Sequence, residues 1–117
     1  MTPREHAEVA IEAVTIAAEA YGQARAAEAS LEDARCIVKR DAIRRIMATT
    51  NEETTKQHSA SSAEKIVETD ATYVAFRERQ REAVVATQLA RGQFYAARCK
   101  AALLVALVGE LAGVGAS

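Results

Sequence analysis

Apolar residues recur at steps of three and four along most of the chain, and this spacing limits the possible folds more than any other feature. Side chains spaced this way return to one face of an α-helix, so each run predicts a long helix with a single apolar stripe. The first stripe consists of Ala7, Ala10, Val14, Ala17, Tyr21, Ala24, Ala27, Leu31, Ala34, Val38, Ala42 and Ile46. The second consists of Tyr73, Phe76, Gln80, Ala83, Thr87, Ala90, Phe94, Ala97, Ala101, Leu104, Val108 and Leu111.

These stripes predict an all-α protein with one domain over residues 1–117. We place helix one at about 3–47, a polar hinge at about 48–61 and helix two at about 62–111. Composition agrees, because 27 of the 117 residues are alanine and the chain has five glycines and one proline. Alanine favours helix, and so few turn residues exclude a β-sandwich or barrel.

Local signals mark the helix ends. Pro3 suits the first turn of a helix, and Thr2 before it is a suitable N-cap. Ser61 lies three residues before Glu64, which is the spacing of a capping box at the start of helix two. Gly22 lies inside helix one, where we expect it to permit close helix approach. Three glycines are expected to end helix two: Gly109, Gly113 and Gly115.

Two long helices joined by a short hinge predict an antiparallel hairpin. A single seam this rich in alanine buries too little area to offset the ordering of the chain. Several larger apolar residues also lie off the stripes: Val9, Ile11, Ile16, Ile37, Ile43, Met47, Val74, Val84, Val85 and Leu89. We therefore predict that copies of the hairpin assemble into a homo-oligomeric helical bundle or coiled coil, such as a four-helix bundle.

No set of residues suggests catalysis. His6 and His58 have no evident partner, and both are interpreted as solvated. Cys36 and Cys99 are interpreted as small core residues, with a bridge between helices as the alternative. The chain has neither a Glu-x-x-His motif nor a glycine-rich phosphate loop. We predict a non-enzymatic protein without cofactor or metal.

Basic residues gather where the hairpin is expected to turn. They are Arg35, Lys39, Arg40, Arg44, Arg45, Lys56 and Lys65. Together with the hydroxyls of Ser59, Ser61 and Ser62 they form a candidate nucleic-acid or anion-binding tip. The alternative is favourable placement of cations at a helix C-terminus. A second group of arginines lies at 77, 79, 81, 91 and 98, and Glu78 and Glu82 are among them, which favours a salt-bridged outer face.

The apolar run 101–108 is a candidate interface, for a second copy or for another protein. Its proposed contact residues are Leu103, Leu104, Leu107, Val108 and Leu111. The run is about half the length of a membrane span, and the N-terminus lacks the apolar segment of a signal peptide. These features predict a cytoplasmic protein without membrane contact, located in the host cytoplasm if the chain is viral.

The middle of the chain resembles small helical proteins of bacteriophages that are encoded beside single-strand annealing and replication genes. The resemblance covers residues 35–100. It consists of Ser59 shortly before Ala63-Glu64, Tyr73 ten residues after Ala63, a basic helix upstream, and Ala97-Arg98. The long alanine-rich first helix and the apolar tail depart from that class. The resemblance implies a phage or prophage setting and a role in DNA metabolism, and it carries no catalytic residues.

Two functions follow as expectations. The first is an oligomeric accessory or scaffold protein in DNA replication or recombination, acting through the basic tip. The alternative is a protein-binding module, such as a phage inhibitor of a host defence system, acting through the apolar run 101–108.

Overall fold

The computed structural model describes residues 1–49 and 58–116, and throughout these ranges the chain is all-helical. Helix α1 spans Pro3–Met47, α2 spans Ala60–Ile66, a single 3-10 turn covers Val67–Thr69, and α3 spans Ala71–Ala116. The described residues contain no strand, which confirms the all-α prediction. Much of the expected hinge, including Lys56, lies outside the described residues.

The N-terminus of α1 has the predicted cap. Thr2 Oγ1 accepts the backbone N–H of Glu5 at 3.2 Å, and the carbonyl of Thr2 accepts that of His6 at 3.0 Å. Pro3 is the first helical residue, where a missing N–H costs no hydrogen bond. The helix then continues without interruption to Met47.

The predicted second helix is broken, because a second cap lies within it. The 3-10 turn separates α2 from α3, and Asp70 adopts an extended conformation between them. The Asp70 side chain accepts the N–H of Tyr73 at 2.9 Å, and its carbonyl accepts the N–H of Val74 at 2.8 Å. A short carboxylate at this position caps a helix more favourably than it occupies a helix interior. Helix α3 therefore begins at Ala71.

The capping box assigned to Ser61 and Glu64 is wrong. The N-cap of α2 is Ser59, whose Oγ accepts the N–H of Ser62 at 3.2 Å. Ser59 has the extended backbone that an N-cap requires, whereas Ser61 is already helical.

The glycines do not act as predicted. A Cβ placed on Gly22 would meet no atom within 4 Å, so Gly22 permits no close approach. Helix α3 passes through Gly109 and Gly113 to Ala116, beyond the expected end near residue 111. None of the four described glycines has a positive φ, and a left-handed residue is what commonly ends a helix at glycine.

The chain divides into two compact units, and α1 and α3 contribute to both. Unit 1 comprises Met1–Ala26 and Val85–Ser117. Its buried residues are Ala7, Ala10, Ala90 and Ala101. The rings of Tyr21 and Phe94 lie 5.9 Å apart, and Thr87 Oγ1 donates to the carbonyl of Ala24 at 3.2 Å. As the residue number rises along α1, the residue number of its contact in α3 falls. The two segments of unit 1 are therefore antiparallel.

Unit 2, Ala27–Val84, contains the larger buried side chains. Tyr73, Val67 and Ala42 form its core, and Val38, Ile43 and Ile46 pack against them. Ala63 and Phe76 are also buried. Gln80 is 9% exposed; its Nε2 donates to Glu32 at 3.2 Å, and its Oε1 accepts from Arg77 at 3.0 Å.

The first stripe needs one correction in unit 2. Ala27 is exposed, and the half-buried position belongs to Glu28. The partly buried residues continue through Leu31, Ala34, Arg35 and Val38. Two charged residues, Glu28 and Arg35, thus lie on the inner face, where long side chains keep their charged ends in water.

Apolar residues off the stripes are mostly exposed. In unit 1 they include Val9, Ile11, Ile16, Val85 and Leu89, and in unit 2 Ile37, Val74 and Val84. Ile43 and Met47 are half-buried. Each unit thus leaves large apolar side chains in water.

Candidate functional site

Two of the predicted tip cations are engaged within unit 2. Arg45 Nη2 donates to Asp70 Oδ2 at 2.9 Å. Arg35 lies 3.6 Å from a Glu32 carboxylate oxygen, and a hydrogen bond with the Tyr73 hydroxyl raises the pKa of the guanidinium. These two arginines hold the unit together rather than face a ligand alone.

The other described tip cations make no ion pair with a carboxylate of residues 27–49 or 58–84. Arg40, Arg44 and Lys65 are exposed, and Lys39 is half-buried. Lys39, Arg40 and Arg44 occupy the last turns of α1, where cations favour the helix C-terminus. The described part of unit 2 holds nine basic and nine acidic side chains, so its cationic character is local.

The serine hydroxyls of the predicted tip have different partners. Ser59 Oγ accepts the cap hydrogen bond of α2, and Ser62 Oγ lies 3.0 Å from Nδ1 of His58. His58 is half-buried and hydrogen-bonded, so its assignment as a solvated histidine is wrong. Ser59 and Ser61 are exposed, and the O–H of Ser59 remains a donor because its oxygen only accepts in the cap.

The later arginines form fewer ion pairs than the sequence indicates. Arg81 pairs with Glu78 at 2.8 Å, and Arg77 donates to Gln80. Arg79 lies over the ring of Phe76, with its Cζ 5.7 Å from the centroid. Aromatic rings thus replace some of the carboxylates expected as partners.

Unit 1 holds a cluster of arginines and aromatic rings that the sequence interpretation missed. Arg25 lies over Tyr21 at 5.6 Å, Arg91 over Tyr95 at 5.3 Å and Arg98 over Phe94 at 5.5 Å. The three rings are in contact, since Phe94 is 5.9 Å from Tyr21 and 5.8 Å from Tyr95. Each arginine is four residues from its aromatic partner, a spacing that places both side chains on one helix face.

The cluster is cationic as well as aromatic. A hydrogen bond with the Tyr95 hydroxyl raises the pKa of Arg91. No acidic residue occurs in segments 20–26 and 85–109. Beside the cluster is an open depression of about 350 Å³, lined by Tyr95, Arg98, Cys99 and Ala102.

The predicted interface residues divide between two faces of α3. Leu104 and Val108 are half-buried, on the face that α3 turns toward α1 in unit 1. Leu103, Leu107 and Leu111 are exposed. Only these three of the five predicted residues are accessible to a partner without rearrangement of the unit.

Both cysteines are free and exposed, so their assignment to the core is wrong. The inner faces of α1 and α3 are set by the three-four repeat, and neither cysteine falls on it. Among the described residues, no group of three or more His, Cys, Asp or Glu side chains is placed to hold a metal ion. No helix within residues 1–49 or 58–116 is both long enough and apolar enough to cross a membrane.

No protein family, curated protein or solved structure matches this chain.

Proposed function

We propose that the chain is a non-enzymatic antiparallel helical hairpin whose copies associate, and that it serves as an accessory or scaffold protein in DNA replication or recombination. The antiparallel arrangement is supported within each unit. In unit 1 residues 21 and 24 contact residues 94 and 87, and in unit 2 residues 32 and 45 contact residues 80 and 70. A phage or prophage setting follows from the resemblance over residues 35–100.

The observation that carries the DNA proposal is the end of α1. Lys39, Arg40 and Arg44 lie within six residues, and none pairs with a carboxylate in the described part of unit 2. Cations in this state remain available to phosphates, and each contact releases a counterion from DNA. Arg45 and Arg35 are already paired and contribute less.

DNA binding is tested by fluorescence anisotropy with single-stranded and duplex oligonucleotides over a salt series. We expect binding at 50 mM salt that weakens steeply by 200 mM, as phosphate contacts require. The double variant Arg40→Gln/Arg44→Gln should reduce the salt slope by about 2 and weaken binding at every sequence. The double variant Arg79→Gln/Arg81→Gln is the matched control, because it removes the same charge elsewhere in unit 2.

Two results would overturn the DNA proposal. One is the absence of any anisotropy change at 50 mM salt with either oligonucleotide. The other is an equal loss in both double variants, because that pattern reports total charge and not a surface at the end of α1.

A second candidate is a protein-binding module, such as an inhibitor of a host defence system. The exposed side chains of Leu103, Leu107 and Leu111 favour it. The variant Leu103→Asp/Leu107→Asp leaves the inward Leu104 in place, so it tests the surface without opening the unit. If this candidate holds, the variant loses a specific host protein that the wild type retains in affinity purification, while its helical content is unchanged.

A further inference from the structure

One face of α3 in unit 1 is apolar and exposed among the residues that the structure describes. It consists of Val85, Leu89, Gly92, Ala96, Cys99, Leu103 and Ala106, spaced alternately by four and three residues. All seven are exposed; Val85 and Leu89 are each 62% exposed and Leu103 is 72% exposed. We call this face the outer stripe. It lies opposite the buried positions Ala90 and Ala101, so α3 is apolar on two sides.

The outward face of α1 in the same unit is different. Glu5, Glu12 and Glu19 recur every seven residues there, and all are exposed. The exposed Val9 and Ile16 lie between these glutamates on the same face, so each apolar residue there has a charged neighbour. The outer stripe of α3 has no charged residue over its whole length. Pairing of the α1 face with its own copy would bring glutamates into the contact, so the outer stripe is the more favourable surface for a second copy.

The order of side chains along the outer stripe is nearly symmetric about Ala96. Leu89 and Leu103 lie seven residues on either side of it, Gly92 and Cys99 lie four and three residues away, and Val85 and Ala106 lie eleven and ten. If a second α3 lies antiparallel with Ala96 facing Ala96, each leucine meets the other leucine. The small Gly92 then lies beside Cys99 and Lys100 of the other copy, and the long Lys100 side chain can extend past the helix into water. Such self-complementarity is what an interface with twofold symmetry requires.

The residues near the centre suit close packing of two helices. Gly92 is exposed and has no side chain, so a second helix can approach its backbone closely. Helices with small side chains at the crossing approach to about 8 Å. The flanking arginines turn away, since Arg91 lies over Tyr95 and Arg98 over Phe94.

We infer that two copies of this chain pair through the outer stripe, antiparallel, with a twofold axis at Ala96. The inference rests on the self-association in the proposed function and assigns it a surface, an orientation and a centre. The leucines on either side of the axis provide most of the apolar contact, and the small residues between them set the helix separation.

Disulfide cross-linking tests the geometry in a Cys36→Ser/Cys99→Ser background. Ala96→Cys should give a covalent dimer on mild oxidation, because position 96 faces its own copy. Val85→Cys alone is the matched control, because it lies on the same stripe. In the antiparallel arrangement its two copies are about 22 residues, or about 33 Å, apart and do not cross-link. A mixture of Val85→Cys and Ala106→Cys proteins should give the mixed dimer in excess over either self-linked form.

Parallel pairing through the same stripe gives the opposite pattern, because every stripe position would then face itself. Cross-linking of Val85→Cys alone as readily as Ala96→Cys therefore overturns the inference, as does the failure of Ala96→Cys to cross-link.

Solution mass tests the energetics in the native cysteine background. We expect light scattering to give twice the chain mass, or a multiple of it, for the wild type. Leu89→Glu should raise the dimer dissociation constant at least about tenfold, since it removes a buried leucine and inserts a charge. Gly92→Gln should act in the same direction, whereas Gly22→Gln, an equivalent change on an exposed part of α1, should leave the mass unchanged. Circular dichroism shows whether each variant keeps its helices.

The outcomes separate this inference from the proposed function. A wild-type dimer unaffected by Leu89→Glu and Gly92→Gln overturns the outer stripe and leaves self-association standing. A single-chain mass for the wild type at about 100 μM overturns both self-association and the stripe, while DNA binding is decided by its own anisotropy measurement.

Discussion

Arg45 donates from Nη2 to Oδ2 of Asp70 at 2.9 Å, and the same oxygen accepts the backbone N–H of Tyr73 at 2.9 Å. One carboxylate thus caps α3 and ties it to the last turns of α1 within unit 2. The N–H of Tyr73, followed by the hydrogen bond and charge of Arg45, lowers the pKa of Asp70, although partial burial opposes the shift. The ion pair requires the ionised carboxylate, and the cap hydrogen bond is stronger with it.

Replacement of Asp70 should therefore destabilise the protein and change its response to acid. Asp70→Ala is expected to lower the free energy of unfolding by about 1 kcal/mol, the usual cost of a lost N-cap. Because the folded pKa lies below the unfolded value, the ionised cap stabilises fully above about pH 4 and its contribution is lost as the pH falls through the folded pKa. Urea unfolding at pH 7 and pH 3, at one protein concentration, measures both effects.

Glu68→Ala is the control for that experiment, because Glu68 is an exposed carboxylate in the adjoining 3-10 turn. Its replacement should change the unfolding free energy at pH 7 by less than about 0.5 kcal/mol. If Asp70→Ala loses as much stability at pH 3 as at pH 7, the ionised cap is not the cause.

Arg45 and Arg44 are adjacent and provide a matched pair. Arg45→Gln removes the contact with Asp70, in which the Arg45 side chain is 47% exposed and the Asp70 side chain 15% exposed. We expect a loss of about 0.5–1 kcal/mol that shrinks at 1 M salt, as for other partly exposed ion pairs. Arg44→Gln removes the same charge without this contact and should lie within about 0.5 kcal/mol of the wild type. Equal losses in the two variants would contradict the assigned contact.

The three-four spacing of apolar residues predicted most of the residues on the inner faces of α1 and α3. The prediction is wrong where an apolar residue was preferred over the residue that the spacing indicates. Ala27 was chosen for the first stripe because it is apolar, but the strict repeat through Ala24 and Leu31 places Glu28 inward. Gln80 and Thr87 were accepted as polar members of the second stripe, and both are at least partly buried. Where only two helices pack together, residues on the inner face stay partly exposed to solvent. The helical spacing therefore determines which residues point inward more strictly than their polarity does.

The break at Asp70 and the cluster at Tyr21 show two other limits of the sequence. The apolar stripe resumes at Tyr73 as if helix two were continuous. The only sequence feature that indicates a break is Asp70, an N-cap residue three positions earlier.

The arginine-aromatic cluster of unit 1 has a clear local sequence pattern, an arginine four residues from an aromatic ring. It was overlooked because nearby glutamates suggested ion pairs for the whole group of arginines.

Replacement of Gly22 by alanine should stabilise the protein, since Gly22 has no role in packing. A Cβ at this position meets no atom within 4 Å and the residue lies inside α1. Gly22→Ala is expected to raise the free energy of unfolding by about 0.5–1 kcal/mol, because alanine restricts the unfolded chain and favours helix. Thermal unfolding by circular dichroism measures the gain. A loss of stability would mean that a close neighbour occupies the space beside Gly22.

Gln80 tests whether the polar layer of unit 2 stabilises the fold. It is 9% exposed and bridges Glu32 and Arg77 by hydrogen bonds of 3.2 and 3.0 Å. Glu32 and Arg77 can both hydrogen-bond to water, so removing their contacts with Gln80 costs little stability. A leucine at position 80 would instead bury an apolar side chain, which stabilises the fold. We expect Gln80→Leu to raise the free energy of unfolding by about 1 kcal/mol and Gln80→Ala, which leaves a gap, to lower it by a similar amount. Urea unfolding of the three proteins at equal concentration gives the comparison. Should Gln80→Leu prove less stable than Gln80→Ala, the bridge between Glu32 and Arg77 stabilises unit 2 more than burial at that position does.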